Sequence, residues 1–228
     1  MREIGEGGPR PRDGRLTVLP AVDGGQPLRV LLVVGERAAP AALVAVAAEM
    51  AGLAAGPLLA ALAAGEPAAA DGPVDRVICW RVGGNGRLLA ELAPHLRPDG
   101  RLLLVDLAVP GSRLRGKQAK RQRQAGDYVN TLLRFRDPGH PGGLSAAAWQ
   151  ERAQAAGLRL LRQESCVVEV DLAAWSGETG LETADQLRLQ ALVRQAPAEV
   201  QRCLTWHGAN DRIALRLAES LLLMARAI

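Results

Sequence analysis

Aromatic side chains are scarce. The 228-residue chain carries only Trp80, Trp149, Trp175, Trp206, Tyr128 and Phe135. A protein that stacks the bases of nucleic acid needs more platforms than this, so no nucleic-acid partner is expected. Cysteine is also sparse. Cys79, Cys166 and Cys203 are odd in number, far apart and form no CxxC pair. That excludes a disulfide framework and points to reduced thiols in a cytoplasmic, reducing compartment. His95, His140 and His207 stand at no ligand spacing to those cysteines, so no metal site is expected. Long apolar runs are missing as well. The richest stretch, Ala38 to Ala64, is broken by Glu49, Pro57 and glycines, which argues against a membrane span. The opening MREIGEGGPRPRDGR lacks the apolar core of a secretory signal. Neither sign of charge dominates. The net charge of +4, owed more to Arg than to Lys, permits an acidic partner without requiring one.

What is present is a large apolar stock, 48% of residues, mostly Ala, Leu and Val. That is enough for one substantial core. Residues 1–27 read as a flexible leader rich in Gly, Pro, Arg and acid, with RLTVLP (15–20) able to form a short strand. A single domain is expected over 28–228. LRVLLVVG (28–35), VDRVICW (74–80) and RLLLVDLAV (101–109) are apolar on both faces, as buried parallel strands are. Helices are expected over 40–50, 58–64, 87–96, 114–135, 145–156, 181–195 and 197–204. Ser145 suits an N-cap and Gly157 the residue just past a helix end. Leu158 to Leu172 reads as a long strand, and Ile213 to Ala227 as either strand or helix. Strands alternating with helices predict an α/β, doubly wound, mostly parallel sheet. Ligands of such sheets lie at the carboxyl ends of the strands. Those ends fall at Gly35 to Arg37, Arg81 to Asn85 and Asp106 to Pro110.

Three segments carry a family resemblance. LRPDGRLLLVD (96–106) resembles the fifth strand and its lead-in in the class I S-adenosylmethionine (SAM)-dependent methyltransferases. VDRVICWR (74–81) resembles their fourth strand. YVNTLLRFRDPGHPGGLSAAAWQERAQAAGLRL (128–160) is similar to the ubiquinone/menaquinone-biosynthesis type, through Arg136, Asp137, Pro138, His140, Ser145, Trp149, Ala156, Gly157 and Leu158. The resemblance covers residues 74–228 and implies a Rossmann-like class I methyltransferase fold, SAM as cofactor and a small-molecule substrate.

The first third departs from that pattern. The family's glycine-rich turn after its first strand lets the backbone approach SAM without an intervening Cβ. Here the turn reads VVGERAAP, with Val33 where an acid is expected and only Gly35 left of the glycines. The family's second strand ends in an acid that takes both ribose hydroxyls. Between Gly52 and Gly72 the only acids are Glu66 and Asp71, neither of them after a strand. The stretch is also too short for two βα units, so the N-terminal half is expected to be shortened. A histidine-bearing turn after the fourth strand is replaced by Val82, Gly83, Gly84 and Asn85.

The expected function is therefore a methyltransferase-like, non-catalytic subunit. It would pair with an active SAM-dependent paralogue as a hetero-oligomer, or with itself as a homodimer. The alternatives are an active small-molecule methyltransferase with an atypical cofactor loop, and a SAM-independent small-molecule binding protein or enzyme. No catalytic residue is assigned. The degenerate cofactor positions are Gly35, Glu36, Arg81 and Val82; Asp106, Asp137 and His140 are candidate ligand contacts. The basic run Arg113, Arg115, Lys117, Lys120, Arg121 and Arg123 reads as a solvated helix face or a contact for an acidic group.

Overall fold

The computed structural model describes residues 15–22, 25–35, 39–64, 72–85, 87–111, 115–201, 204–207 and 213–227. Seven strands form one mixed sheet: β1 (Arg15–Leu19), β2 (Leu28–Val34), β3 (Val74–Trp80), β4 (Leu96–Leu107), β5 (Leu158–Asp171), β6 (Leu204–His207) and β7 (Ala214–Arg226). Their spatial order is β1-β2-β3-β4-β7-β5, with β6 also paired to β7. β2, β3 and β4 run parallel; β1 is antiparallel to β2, and β7 is antiparallel to β4, β5 and β6. Five of the seven strands thus share a direction, although only two neighbouring pairs are parallel.

Alternation along the strands sorts the core onto two faces. Val30, Leu32, Ile78, Trp80, Leu103 and Val105 face one side. There they meet α1 (Ala41–Ala51), α2 (Ala55–Ala63), α4 (Lys117–Arg136) and α7 (Thr183–Arg194). Leu31, Val33, Val77, Cys79, Leu102 and Leu104 face the other side, against α3 (Leu88–Leu92) and α5 (Ala146–Ala155). Helices on both faces make the sheet doubly wound, as its sequence pattern predicts. Ser145 caps α5, its Oγ accepting from Ala148 N at 3.2 Å. Gly157, at φ 71°, turns the chain out of that helix into β5.

Two boundaries differ from expectation, and one open alternative is resolved. β1 lies inside the stretch read as leader, so the folded unit takes in residues 15–22 as well. Residues 204–207 are strand, not the end of a helix; the short α8 (Ala198–Gln201) precedes them, and α6 (Leu172–Gly177) follows β5. Ile213 to Ala227 is a strand because its leucines are sandwiched between β4 and β5, a placement that overrides their helix propensity. Among the described residues no helix is long and apolar enough to cross a membrane.

Candidate functional site

The carboxyl ends of β2, β3 and β4 form the edge where a doubly wound sheet holds ligands. On this edge β2 pairs directly with β3, Val30 opposite Arg76 through Val34 opposite Trp80. No strand intervenes between them among the described residues. On the outer side of β2 stands β1, antiparallel, with Arg15 opposite Leu32 and Leu19 opposite Leu28. An antiparallel neighbour brings its start, not its end, to the ligand edge. The place where a second parallel strand would deliver a ribose-binding acid is therefore held by the beginning of β1.

Gly35 leaves β2 with its N–H donating to Trp80 O at 2.7 Å, so its amide is already committed within the sheet. Glu36, with Arg37 and Ala38, lies outside the described residues, as do Glu66 and Asp71. Arg81 follows β3 in the left-handed region at φ 47° and is buried. A non-glycine residue there costs on the order of 1–3 kcal/mol, so its surroundings must hold it. They do: Arg81 N donates to Val105 O at 2.7 Å, and Arg81 Nη2 donates to Glu219 Oε1 of β7 at 2.5 Å. Val82 is buried in the core of the α3/α5 face.

The next turn is closed from above. A Cβ on Gly83 would sit 2.7 Å from Pro141 Cγ, and Gly84 N donates to Gly142 O at 2.5 Å. The D-P-G-H-P-G-G segment thus lies directly on the turn after β3. Asp137 makes that segment's first bend, its Oδ1 accepting from Gly139 N at 2.9 Å. His140 is buried, and its Nδ1 accepts from Gly142 N at 2.9 Å. In the neutral ring that bond places the proton on Nε2. Both residues shape the turn.

Asp106 is buried near the end of β4, opposite Ser220 of β7, and its Oδ1 accepts from Leu107 N at 2.9 Å. Arg81, Asp106, His140 and Glu219 converge on a cavity of about 20 Å³, with Trp175 and Leu133 among its other walls. That is room for one water-sized occupant and not for a substrate. Glu219 lies in no motif, yet a lone acid in the apolar run Leu215 to Met224 signals a buried partner. Beside this cluster Arg136 is also buried. Its Nε donates to Trp175 O at 2.8 Å, its guanidinium lies 4.3 Å from the Trp175 ring centroid, and Nη2 reaches Glu178 at 3.1 Å.

The rest of the candidates are structural or solvated. Trp149 is packed in the core under α5. Arg115, Lys117, Lys120, Arg121 and Arg123 are exposed on the approach to and first turns of α4, and Arg113 lies outside the described residues. No metal-binding group of His, Cys, Asp and Glu occurs among the described residues. Cys79 is fully buried, and burial, with the charge of Asp106 second, pushes its thiol well above the ordinary range. Only the thiolate alkylates readily. In iodoacetamide labelling of the native protein followed by peptide mapping, the Cys79 peptide is expected to stay unmodified until denaturant is added. Labelling of Cys79 in the native state would contradict this burial.

Three features of the described residues bear on a cofactor at this edge. These residues supply no acid beside β2 at the edge, the Gly35 amide is taken, and the turn after β3 is covered.

No protein-family model matches the chain, and no curated protein does. Solved structures do. The chain is similar to a "putative methyltransferase" (BH2331) from Bacillus halodurans C-125, at 17% identity and TM-score 0.57, over 72% of this chain and 74% of that one. It is similar to the YcgJ protein of Bacillus subtilis at 20% identity and TM-score 0.57, over 72% and 68% of the two chains. The chain has the fold of the class I SAM-dependent methyltransferases, as the sequence resemblance implies, in a form whose first third is remodelled.

Proposed function

We propose that this chain is a non-catalytic, methyltransferase-like subunit that supports an active SAM-dependent paralogue acting on a small molecule. The observation that carries the reading is the cofactor edge. An antiparallel β1 stands where the ribose-binding strand would be, and the Arg81–Glu219 pair and the 140–142 segment fill the edge beyond it. Hydrogen bonds to a charged acceptor are worth about 1.5–3 kcal/mol each, so losing the ribose acid alone weakens a cofactor by orders of magnitude when both hydroxyls are affected. A fold kept intact around a closed cofactor edge suits a protein that positions or stabilises another. A hetero-oligomer with a longer methyltransferase is the arrangement this reading favours over a homodimer.

Calorimetric titration of the isolated chain with SAM and with S-adenosylhomocysteine tests it. No saturable heat is expected in the micromolar range, and co-expression with a paralogous methyltransferase is expected to yield a stable complex. Micromolar affinity for SAM, or methyl transfer by the isolated chain, would overturn the reading.

A further inference from the structure

A larger cavity, of about 520 Å³, lies at the carboxyl end of β4, beside the cofactor edge. Its apolar part is the loop 108–111 after β4 together with Ala146 and Ala147 of the first turn of α5. Its polar part is Gln122, Gln150, Gln163, Glu199, Ser145 and Ser220. These come from α4, α5, β5, α8 and β7, so five elements and the β4 loop converge on one space. That size falls within the roughly 300–1,000 Å³ of small-molecule sites.

The wall is pre-formed. A Cβ on Gly126 of α4 would meet Pro110 O at 2.2 Å, and one on Gly111 would meet the Ser145 side chain at 2.6 Å. The loop 108–111 is thereby clamped between α4 and α5, with no room for either glycine to carry a side chain. Gln150 Nε2 donates to Gln163 Oε1 at 2.8 Å in an exposed bond that sets the two amides side by side. Each retains unused hydrogen-bonding capacity, the Oε1 of Gln150 and the NH2 of Gln163, since an amide offers two donors and an acceptor.

The chemistry of the lining selects the ligand class. The chain is rich in arginine, yet among the described lining residues there is neither Arg nor Lys. Among the described lining residues a phosphate or carboxylate finds no cation to pair with and meets Glu199 instead, which disfavours anions. The described lining has no aromatic residue, so a flat ring finds no stacking partner. Three amides and two hydroxyls over an aliphatic floor suit alternating polar and C–H surface. We infer that this cavity is a binding site for an uncharged, hydroxyl-bearing aliphatic molecule of about the size of a mono- or disaccharide. The site adjoins the cofactor edge but shares no lining residue with the smaller cavity there, and the probes are read without SAM, so its failure and that of the non-catalytic reading are distinguishable.

The test uses the full chain with 13C-labelled alanine methyl groups, and maltose and myo-inositol as probes, with glucose 6-phosphate as the charged comparison. Saturable shifts are expected at Ala108, Ala146 and Ala147, with maltose or inositol and not with the phosphate. Gln163 is exposed on β5, so Gln163→Leu is expected to fold normally; combined with Gln150→Leu it should weaken the neutral probe roughly tenfold, by removing amide hydrogen bonds. An Ala147→Phe variant, which fills the cavity floor, should abolish the shift at Ala108. Absence of alanine shifts with both neutral probes at tens of millimolar would overturn the assignment. So would equal binding of glucose 6-phosphate, or shifts unaffected by the paired glutamine variant and by Ala147→Phe.

Discussion

Glu219→Leu is expected to cost about 3–5 kcal/mol of stability in urea unfolding, because it breaks a buried ion pair by removing one partner. The pair sits at 2.5 Å with side-chain exposures of 5% and 1%. The guanidinium is buried, and Arg81 is already held at φ 47°, where its surroundings keep it. The double variant Arg81→Met with Glu219→Leu is expected to recover most of the loss. Apolar groups of similar volume need no compensating charge, and such replacements are often neutral or stabilising. Asp106 and His140 share the same cavity, so the double variant leaves them with altered neighbours and recovery is expected to be large without being complete. A single-variant cost below about 1 kcal/mol would place the pair with solvent-exposed ion pairs and contradict its burial.

That pair also marks the limit of what the sequence discloses. β3 was legible at its bounds and β4 over its apolar part from Arg101, because both are buried on both faces and continuous apolar runs have no other comfortable place; Leu96 to Gly100, expected as a helix end and a turn, also belong to β4. The Ser145 cap and the Gly157 exit were legible because each is a local device: a side chain reaching its own helix, and a backbone angle that favours glycine. The shortened first third was legible as missing residues and too little chain. What could not be read was the replacement. β1 lies beside β2 through a hairpin-like return, and nothing in RLTVL says that it occupies the place of a parallel strand. β6 has only four residues and is strand because β7 extends beyond β4 and needs a neighbour there. Arg81 and Glu219 stand 138 positions apart, and their meeting depends on β7 lying next to β4. Local chemistry is written locally; long-range pairing follows from the order of strands in space.

The same distinction decides how Trp149 should behave. It belongs to the segment that carries the family resemblance, and its core spacing on a helix predicts packing. The structure gives it a packing role. Trp149 is 1% exposed, in the cluster formed by Leu88, Leu89, Leu104 and Leu222, and it fixes α5 against the sheet. Trp149→Ala is expected to cost about 3–5 kcal/mol, the range for deleting a buried aromatic side chain. In a domain of this size that lowers the melting temperature by roughly 6–20 °C in calorimetry. Trp149→Phe separates packing from hydrogen bonding. The indole Nε1–H is buried with no hydrogen-bond partner among the described residues. Burying such a donor costs about 1–3 kcal/mol, which phenylalanine avoids while keeping most of the ring. The loss from the smaller ring and the gain from the absent N–H oppose each other, so Trp149→Phe is expected to fall within about 1 kcal/mol of the parent. If phenylalanine proved as costly as alanine, the indole nitrogen would have to be engaged in the folded protein, and the residue would have a role beyond packing.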